Sequence, residues 1–97
     1  MSIVIVGGNE RMVYQYEGIC KRHGCKAKIF VKEKGAFKSR MGIPDLLILF
    51  TDTVSHKMVV SASQEAKKYQ IPIERIHTSS LSALQALLEK RCYSQRG

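Results

Sequence analysis

Four short segments rich in aliphatic residues alternate along the chain with longer segments of mixed polarity. They begin near Ser2, Lys26, Asp45 and Ile71, and the first and third are apolar almost throughout. Short continuous apolar segments are typical of strands buried on both faces. In three of the segments between and after them, apolar residues recur every three to four positions, which is typical of helices that pack by one face. The pattern predicts four strands and three helices in alternation.

Candidate capping residues mark where the predicted helices begin and end. Asn9 precedes the first helix and Gly24 follows it, while Ser79 and Ser80 precede the last; these residue types favour such positions. Gly18 lies inside the first helix, where we expect close packing on the sheet. A short additional helix is a further possibility around Ala36–Arg40. Residues recur at helical spacing in all three helices: Met12, Val13, Tyr16, Ile19, Cys20 and His23 in the first, Val59, Ala62, Ala66 and Tyr69 in the second, and Leu81, Leu84 and Leu88, which we expect to face the core, in the third.

Alternation of strands and helices predicts an α/β fold with parallel pairing and right-handed crossovers. The two apolar strands belong in the centre and the two mixed ones at the edges. We therefore expect a small open four-stranded sheet of order 2-1-3-4, as in half of a Rossmann fold or in flavodoxin-like proteins. A chain of 97 residues suffices for one hydrophobic core. We expect one domain over residues 1–93, followed by a frayed tail over residues 94–97.

In such sheets ligands bind beyond the carboxyl ends of the strands, where the strand order reverses. Here the reversal lies between the first and third strands. The turns that meet there lead into helix N-termini, whose free N–H groups favour anions. We therefore predict a crevice for a small anionic ligand, formed by Gly7, Gly8, Asn9, Arg11, Thr51, Asp52, Ser55, His56, Ser79 and Ser80.

Several enzyme signatures are missing from these turns. The glycines and the acidic residue of a dinucleotide fingerprint are absent, as are the P-loop pattern and a nucleophile elbow around any serine. Asp52 falls near the phosphoacceptor position of response-regulator receivers, but their acidic pair is replaced by Gly7-Gly8. Phosphotransferase IIB domains carry a cysteine just after the first strand, which this chain lacks. The sequence leaves open whether a reaction is catalysed and favours a non-enzymatic binding or regulatory domain.

His56 carries the main alternative. A histidine at this turn could be an acid or base, a hydrogen-bond donor to a ligand, or a ligand to a metal or haem iron; it could equally be a helix-start residue without chemistry. A haem- or metal-binding sensor or carrier would use His56 with His23, His77 or a cysteine. Cys20, His23 and Cys25 lie close together in sequence, but no second ligand pair follows, and we expect buried thiols and a surface histidine instead.

The net charge of +8 is unevenly distributed. Residues 21–40 contain eight basic side chains and a single acid, Glu33. Such a stretch, from Lys21 to Arg40, could bind nucleic acid. Lysines also keep the edge of a sheet soluble and unpaired, and with only Phe30 and Phe37 as aromatic residues we favour this second interpretation.

Location and assembly follow from weaker signals. The odd count of three cysteines and an N-terminal apolar stretch too short for a signal peptide predict reduced thiols and a cytoplasmic protein. No apolar run approaches the roughly 20 residues of a membrane helix, so we expect no membrane partner. A four-stranded sheet leaves two open edges, which favours a homo-oligomer.

The chain resembles the bacterial domain of unknown function 2325. The resemblance is carried by Gly7-Gly8, Asp45, the segment Thr51-Asp52-x-Val54-Ser55-His56, Ile71-Pro72-Ile73 and the serine-capped last helix. It spans nearly the whole chain, and its most specific part is Thr51–His56. It implies a small prokaryotic protein whose site residues are Gly7, Gly8, Asp52, Ser55 and His56. Family members often carry a segment with histidine and glycine after the second strand, where this chain has Lys32-Glu33-Lys34-Gly35.

Overall fold

A computed structural model describes the backbone of residues 1–32 and 40–96 and the side chains of residues 1–32 and 40–91. Its strands are β1 (Ser2–Val6), β2 (Lys26–Phe30), β3 (Leu46–Phe50) and β4 (Ile73–Ile76). Its helices are α1 (Val13–Arg22), α2 (His56–Tyr69) and α3 (Leu81–Arg96), and a 3-10 turn over Glu10–Met12 leads into α1. The four strands form one sheet of order β2-β1-β3-β4 in which every pair is parallel. The predicted fold class and strand order are confirmed.

The two central strands are buried on both faces, which explains their continuous apolar sequence. Ile3 and Ile5 of β1 point to the layer that contains α1 and α3, whereas Val4 and Val6 point to the layer that contains α2. Every residue of β3 is buried. Full burial of an aliphatic or aromatic side chain contributes about 1.5–3 kcal/mol, so these two strands supply much of the stability of the fold.

Helices cover the sheet on both faces. On one face α1 contacts α3 and buries Tyr16, Ile19 and Cys20. The other face is covered by α2, whose buried residues are Met58, Ala62 and Ala66. Tyr69 lies on the predicted apolar stripe of this helix but is 42% exposed, whereas Met58 is buried. Leu84 and Leu88 of α3 are fully buried, as predicted.

Several element boundaries differ from the predicted ones. Asp45 precedes β3 and accepts a hydrogen bond from Ser2 N at 2.7 Å through Oδ2. Gly18 is exposed, and a Cβ added to it would meet no atom within 4 Å, so the predicted close packing at Gly18 is wrong. The backbone of α3 is helical through Arg96; the division into a domain over residues 1–93 and a tail over residues 94–97 stays a prediction. The proposed short helix around Ala36–Arg40 lies outside the described residues except for Arg40, which is helical.

None of the helices in the described part of the chain has the length and apolar character that a membrane span requires.

Candidate functional site

The turns that follow β1, β3 and β4 meet at the carboxyl end of the sheet, where the sequence predicts a site. Thr53 joins them. Its Oγ1 accepts a hydrogen bond from Gly8 N at 2.7 Å and lies 3.1 Å from Ser79 Oγ. The turn after β3 therefore bridges the glycine turn on one side and the serine-rich turn on the other.

The glycine pair is required by the packing of these turns. Gly7 and Gly8 are both buried and both have a φ of +98°, a conformation that L side chains rarely adopt. A Cβ on Gly7 would lie 3.0 Å from Phe50 O and 3.2 Å from Val54 Cβ. The absence of a side chain at Gly7 therefore allows the close approach of Phe50 and Val54 of the same chain.

Asp52 fixes the turn that precedes α3. Its Oδ1 accepts a hydrogen bond from Ser79 Oγ at 2.6 Å, and its Oδ2 accepts one from Ser79 N at 3.1 Å. The carboxylate thus binds an N–H group that an anionic ligand would otherwise contact. Asp52, Thr53 and Ser79 form one exposed hydrogen-bonded cluster.

Tyr16 contacts this cluster from the hydrophobic core. Its helical spacing in the sequence predicts only that it lies on the apolar face of α1. Its ring is fully buried, with its centroid 5.2 Å from that of Phe50. Its hydroxyl donates to Ser79 O at 2.6 Å and accepts from Asn9 N at 3.2 Å. The helical spacing that places Tyr16 in the core carries no information about these two partners.

The remaining predicted site residues lie around the same turns, and several cap helices. Asn9 Oδ1 accepts from Arg11 N at 2.9 Å, Ser55 Oγ accepts from Met58 N at 3.2 Å, and Ser80 Oγ accepts from Ala83 N at 3.2 Å. Arg11 is exposed on the 3-10 turn. Thr51 Oγ1 lies 3.1 Å from His77 Nδ1.

His56 is the first residue of α2 and is exposed to solvent. Among the described residues, no group of three or more His, Cys, Asp or Glu side chains is arranged to hold a metal ion. Cys20 and Cys25 are buried and form no disulfide, and His23 is half-buried. The role of His56 toward a metal or haem stays a prediction.

A cavity of about 430 Å³ opens beside the glycine turn, where β2 ends. A backbone hydrogen bond links the glycine turn to the end of β2: Gly7 N donates to Phe30 O at 2.9 Å. The cavity is about half open to solvent. The residues that line the cavity are Glu10, Val13, Ile29, Phe30, Val31, Lys32 and Arg40. None of them belongs to the crevice that the sequence predicts.

The charged residues of this cavity differ from those of the crevice. Lys32 Nζ pairs with Glu10 Oε1 at 2.8 Å, and the two side chains are 70% and 57% exposed. The hydrogen bond to Glu10 and its negative charge raise the pKa of Lys32 above its usual value, so the ammonium stays protonated at neutral pH. Arg40 adds a second, exposed cation. The cavity therefore combines apolar walls with an edge of net positive charge.

The strand order and the turns at this end of the sheet define a small parallel α/β domain. The chain belongs to the family described as an uncharacterized protein conserved in bacteria, the domain of unknown function 2325, whose model matches residues 2–91. The resemblance noted in the sequence is thereby confirmed. No curated protein matches the chain.

Proposed function

We propose that the chain is a non-enzymatic binding or regulatory domain that holds a small organic anion in the cavity at the end of β2. The observation that carries the proposal is the placement of Lys32 and Arg40 around a cavity whose walls include Val13, Ile29 and Phe30. Cations attract the anionic group, and apolar walls favour burial of the rest of the ligand.

The hydrogen bonds within the predicted crevice favour a ligand site at the end of the neighbouring strand, β2, over a site in the crevice. Gly8 N, Asn9 N and Ser79 N each donate to a side chain of the protein. An anionic ligand in the crevice would have to displace those partners before it could accept hydrogen bonds from the same N–H groups. A ligand in the cavity would compete with the exposed pair between Glu10 and Lys32, and such exposed pairs contribute little to stability.

The shape and charge of the cavity favour a ligand with one anionic group and a largely apolar or aromatic body. Nucleoside monophosphates and aromatic carboxylates both have this combination. Because Lys32 is exposed, its attraction for the anion is screened by salt. We therefore expect affinity for such a ligand to fall as the ionic strength rises.

Isothermal titration calorimetry with AMP, salicylate and inorganic phosphate tests the proposal. We expect AMP or salicylate to bind more tightly than phosphate, and Arg40→Gln to weaken binding about tenfold to a hundredfold, as for loss of a charged hydrogen bond. Lys67→Gln removes the same charge from the exposed side of α2 and is the matched control. Absence of binding by all three probes, or loss of binding in His56→Ala together with full binding in Arg40→Gln, would overturn the cavity assignment.

The alternative of a haem or metal protein that uses His56 has a separate test. Haemin is added to the purified protein and the visible spectrum is recorded, together with elemental analysis. A Soret band or stoichiometric metal that is lost in His56→Ala would favour the cofactor function. Spectra and metal contents that are the same in wild type and His56→Ala would exclude His56 as the ligand of a haem or metal.

The proposed domain acts in the cytoplasm, where its thiols remain reduced. Its two edge strands, β2 and β4, leave open edges through which copies of the chain could associate. These proposals rest on the odd count of cysteines and on the open sheet, and they are independent of the ligand.

A further inference from the structure

The end of α1 is closed by two backbone hydrogen bonds that bring two cysteines together. Cys25 N donates to Cys20 O at 2.9 Å. Gly24, which has a φ of +73°, donates through its N–H to Lys21 O at 2.9 Å. These two bonds around a left-handed glycine form the Schellman motif, in which the side chains at the two outer positions frequently contact each other. In this chain both outer positions are cysteines.

The bond between the outer residues limits how far apart their backbones can lie. Given the bond lengths and angles of the peptide unit, an N···O distance of 2.9 Å keeps the Cα atoms of Cys20 and Cys25 within about 6.8 Å of each other. Disulfides span Cα–Cα distances of about 4.4–6.8 Å. The two backbones therefore lie within the reach of a disulfide, although the two cysteines form none in the structure.

The two side chains also leave the end of the helix toward the same part of the core. Cys20 is fully buried and Cys25 is 6% exposed, and both belong to the apolar cluster between the sheet and the helices α1 and α3. A disulfide requires Cβ atoms that face each other as well as close backbones. One side chain in the core and one in solvent would not meet that requirement, whereas two side chains in one cluster do.

A metal ion is a poor occupant for this pair. Structural zinc takes four ligands, and His23 is the only further metal-ligand residue type within the turn. In the part of the chain that the structure describes, no group of three or more His, Cys, Asp or Glu side chains is arranged to hold a metal ion. The pair is therefore better suited to redox chemistry between its own two sulfur atoms.

We propose that Cys20 and Cys25 are a redox pair that a low-molecular-weight disulfide, such as glutathione disulfide, converts reversibly into an intramolecular disulfide. The thiolate of Cys25, the less buried of the two, attacks one sulfur of the reagent; the reagent's S–S bond breaks and one small thiol leaves. The thiolate of Cys20 then attacks Cys25 Sγ and displaces the second small thiol. In sum, the two cysteines lose two electrons and two protons, which convert one small disulfide into two small thiols.

The position of the pair at a helix end gives the reagent a route to buried sulfur. Helix ends open more readily than the core of a fold. Gly24 is exposed, and a Cβ added to it would meet no atom within 4 Å, so the turn is not packed against the rest of the protein at that point. Lys21, Arg22 and Lys26 are exposed and flank the two cysteines in sequence, and their charge attracts an anionic reagent such as glutathione disulfide.

This chemistry agrees with a cytoplasmic protein, because disulfides in that compartment are usually transient and redox-sensing. The pair stays reduced until the small disulfide accumulates, and it returns to the reduced state when the small thiol is restored. The bond would join the end of α1 to the residue that precedes β2, so oxidation fixes the helix to the edge strand of the sheet.

Mass spectrometry of the whole chain, incubated folded with glutathione disulfide, tests the proposal. We expect the intact protein to lose the mass of two hydrogen atoms. The remaining thiols are then blocked and the chain is digested with trypsin, which places each of the three cysteines on a peptide of its own. A disulfide within the pair links the peptide of residues 12–21 to that of residues 23–26, and dithiothreitol should separate the two.

Variants distinguish the roles of the two sulfur atoms. Cys92→Ser removes the thiol outside the pair, so it is the matched control and should oxidise as fully as wild type. In that background, Cys20→Ser should retain one glutathione on Cys25, because no second thiol displaces it. Cys25→Ser should take up less glutathione, because Cys20 is fully buried. Circular dichroism checks that each variant folds.

A stability measurement on the wild type needs no substitution. The oxidised protein should melt several degrees above the reduced protein, since a cross-link that the native backbone accommodates restricts the unfolded chain. Dithiothreitol should abolish the difference. A lower midpoint after oxidation would show that the bond distorts the end of α1, and it would overturn the proposal.

Three further results would also contradict it: no link between the two peptides, a link that forms only in urea, or links to Cys92 as abundant as the link within the pair. Each would leave the two cysteines as the apolar contact of the Schellman motif. Neither cysteine lines the cavity at the end of β2, so failure here leaves the small-anion proposal untouched.

Discussion

The side chain of Thr53 accepts a hydrogen bond from the backbone of Gly8, with 2.7 Å between Oγ1 and N. Gly8 is 45 residues away in sequence and its N–H is held in a buried, left-handed turn. The same oxygen lies 3.1 Å from Ser79 Oγ, so one hydroxyl joins the turns after β1, β3 and β4. Hydrogen bonds within the chain therefore hold the three turns together at the carboxyl end of the sheet. Three predictions test these bonds and the packing around them.

Thr53→Val should destabilise the fold by about 1–3 kcal/mol, because valine has nearly the shape of threonine but leaves Gly8 N without its acceptor. Urea unfolding followed by circular dichroism gives the free energy. Thr53→Ser retains the oxygen and is the control. Equal stability of Thr53→Val and wild type would show that water replaces the hydroxyl, and that the turns are not held by this bond.

Tyr16→Phe should cost about 1–3 kcal/mol, since the missing hydroxyl both donates to Ser79 O and accepts from Asn9 N. The ring stays in place, so the core with Phe50 is unchanged. Tyr14→Phe makes the same chemical change at an 87% exposed position and should alter stability by no more than about 0.5 kcal/mol. Thermal melts of the two variants decide the point, and equal midpoints would contradict the role given to the Tyr16 hydroxyl.

Two glycine-to-alanine substitutions should have opposite effects. Gly18→Ala should stabilise the protein by about 1 kcal/mol, because the position is an exposed helix interior with no atom within 4 Å of an added Cβ. Gly8→Ala should destabilise it by more than about 1 kcal/mol, because φ is +98° and the new Cβ would lie 2.9 Å from Tyr16 Cε2. Urea midpoints that move in the same direction would be inconsistent with this assignment.

The pattern of the sequence was sufficient to predict the sheet, because burial on both faces requires Val4 and Ile5, or Leu47 and Ile48, to be apolar whatever else surrounds them. Spacing alone was less informative on helix surfaces. The apolar stripe of α2 includes Tyr69, which is 42% exposed. Gly18, interpreted as a mark of close packing because it is a glycine inside a helix, lies on the exposed side of α1.

The candidate site was harder to predict than the fold. The turns that the sequence brings together do meet, but their polar groups bind one another through contacts such as Asp52 with Ser79. The cavity depends on how α1 lies against the end of β2, and its cations, Lys32 and Arg40, look in sequence like part of a solvated basic segment. Nothing in the local pattern distinguishes a lysine beside a cavity from a lysine on a flat edge.

Glu10→Gln should increase the affinity of the cavity for a small anion, because the carboxylate competes with the ligand for Lys32 at 2.8 Å. The pair is exposed and screened by solvent, so we expect a modest gain that is largest at low ionic strength. The substitution also returns the pKa of Lys32 toward its usual value, but the ammonium remains protonated at neutral pH and keeps its attraction. Calorimetry with AMP at low salt measures the gain. Glu17→Gln, which changes the same charge on α1 away from the cavity lining, is the control. An equal gain in both variants would mean that the net charge of the surface, and not the pair with Lys32, governs binding.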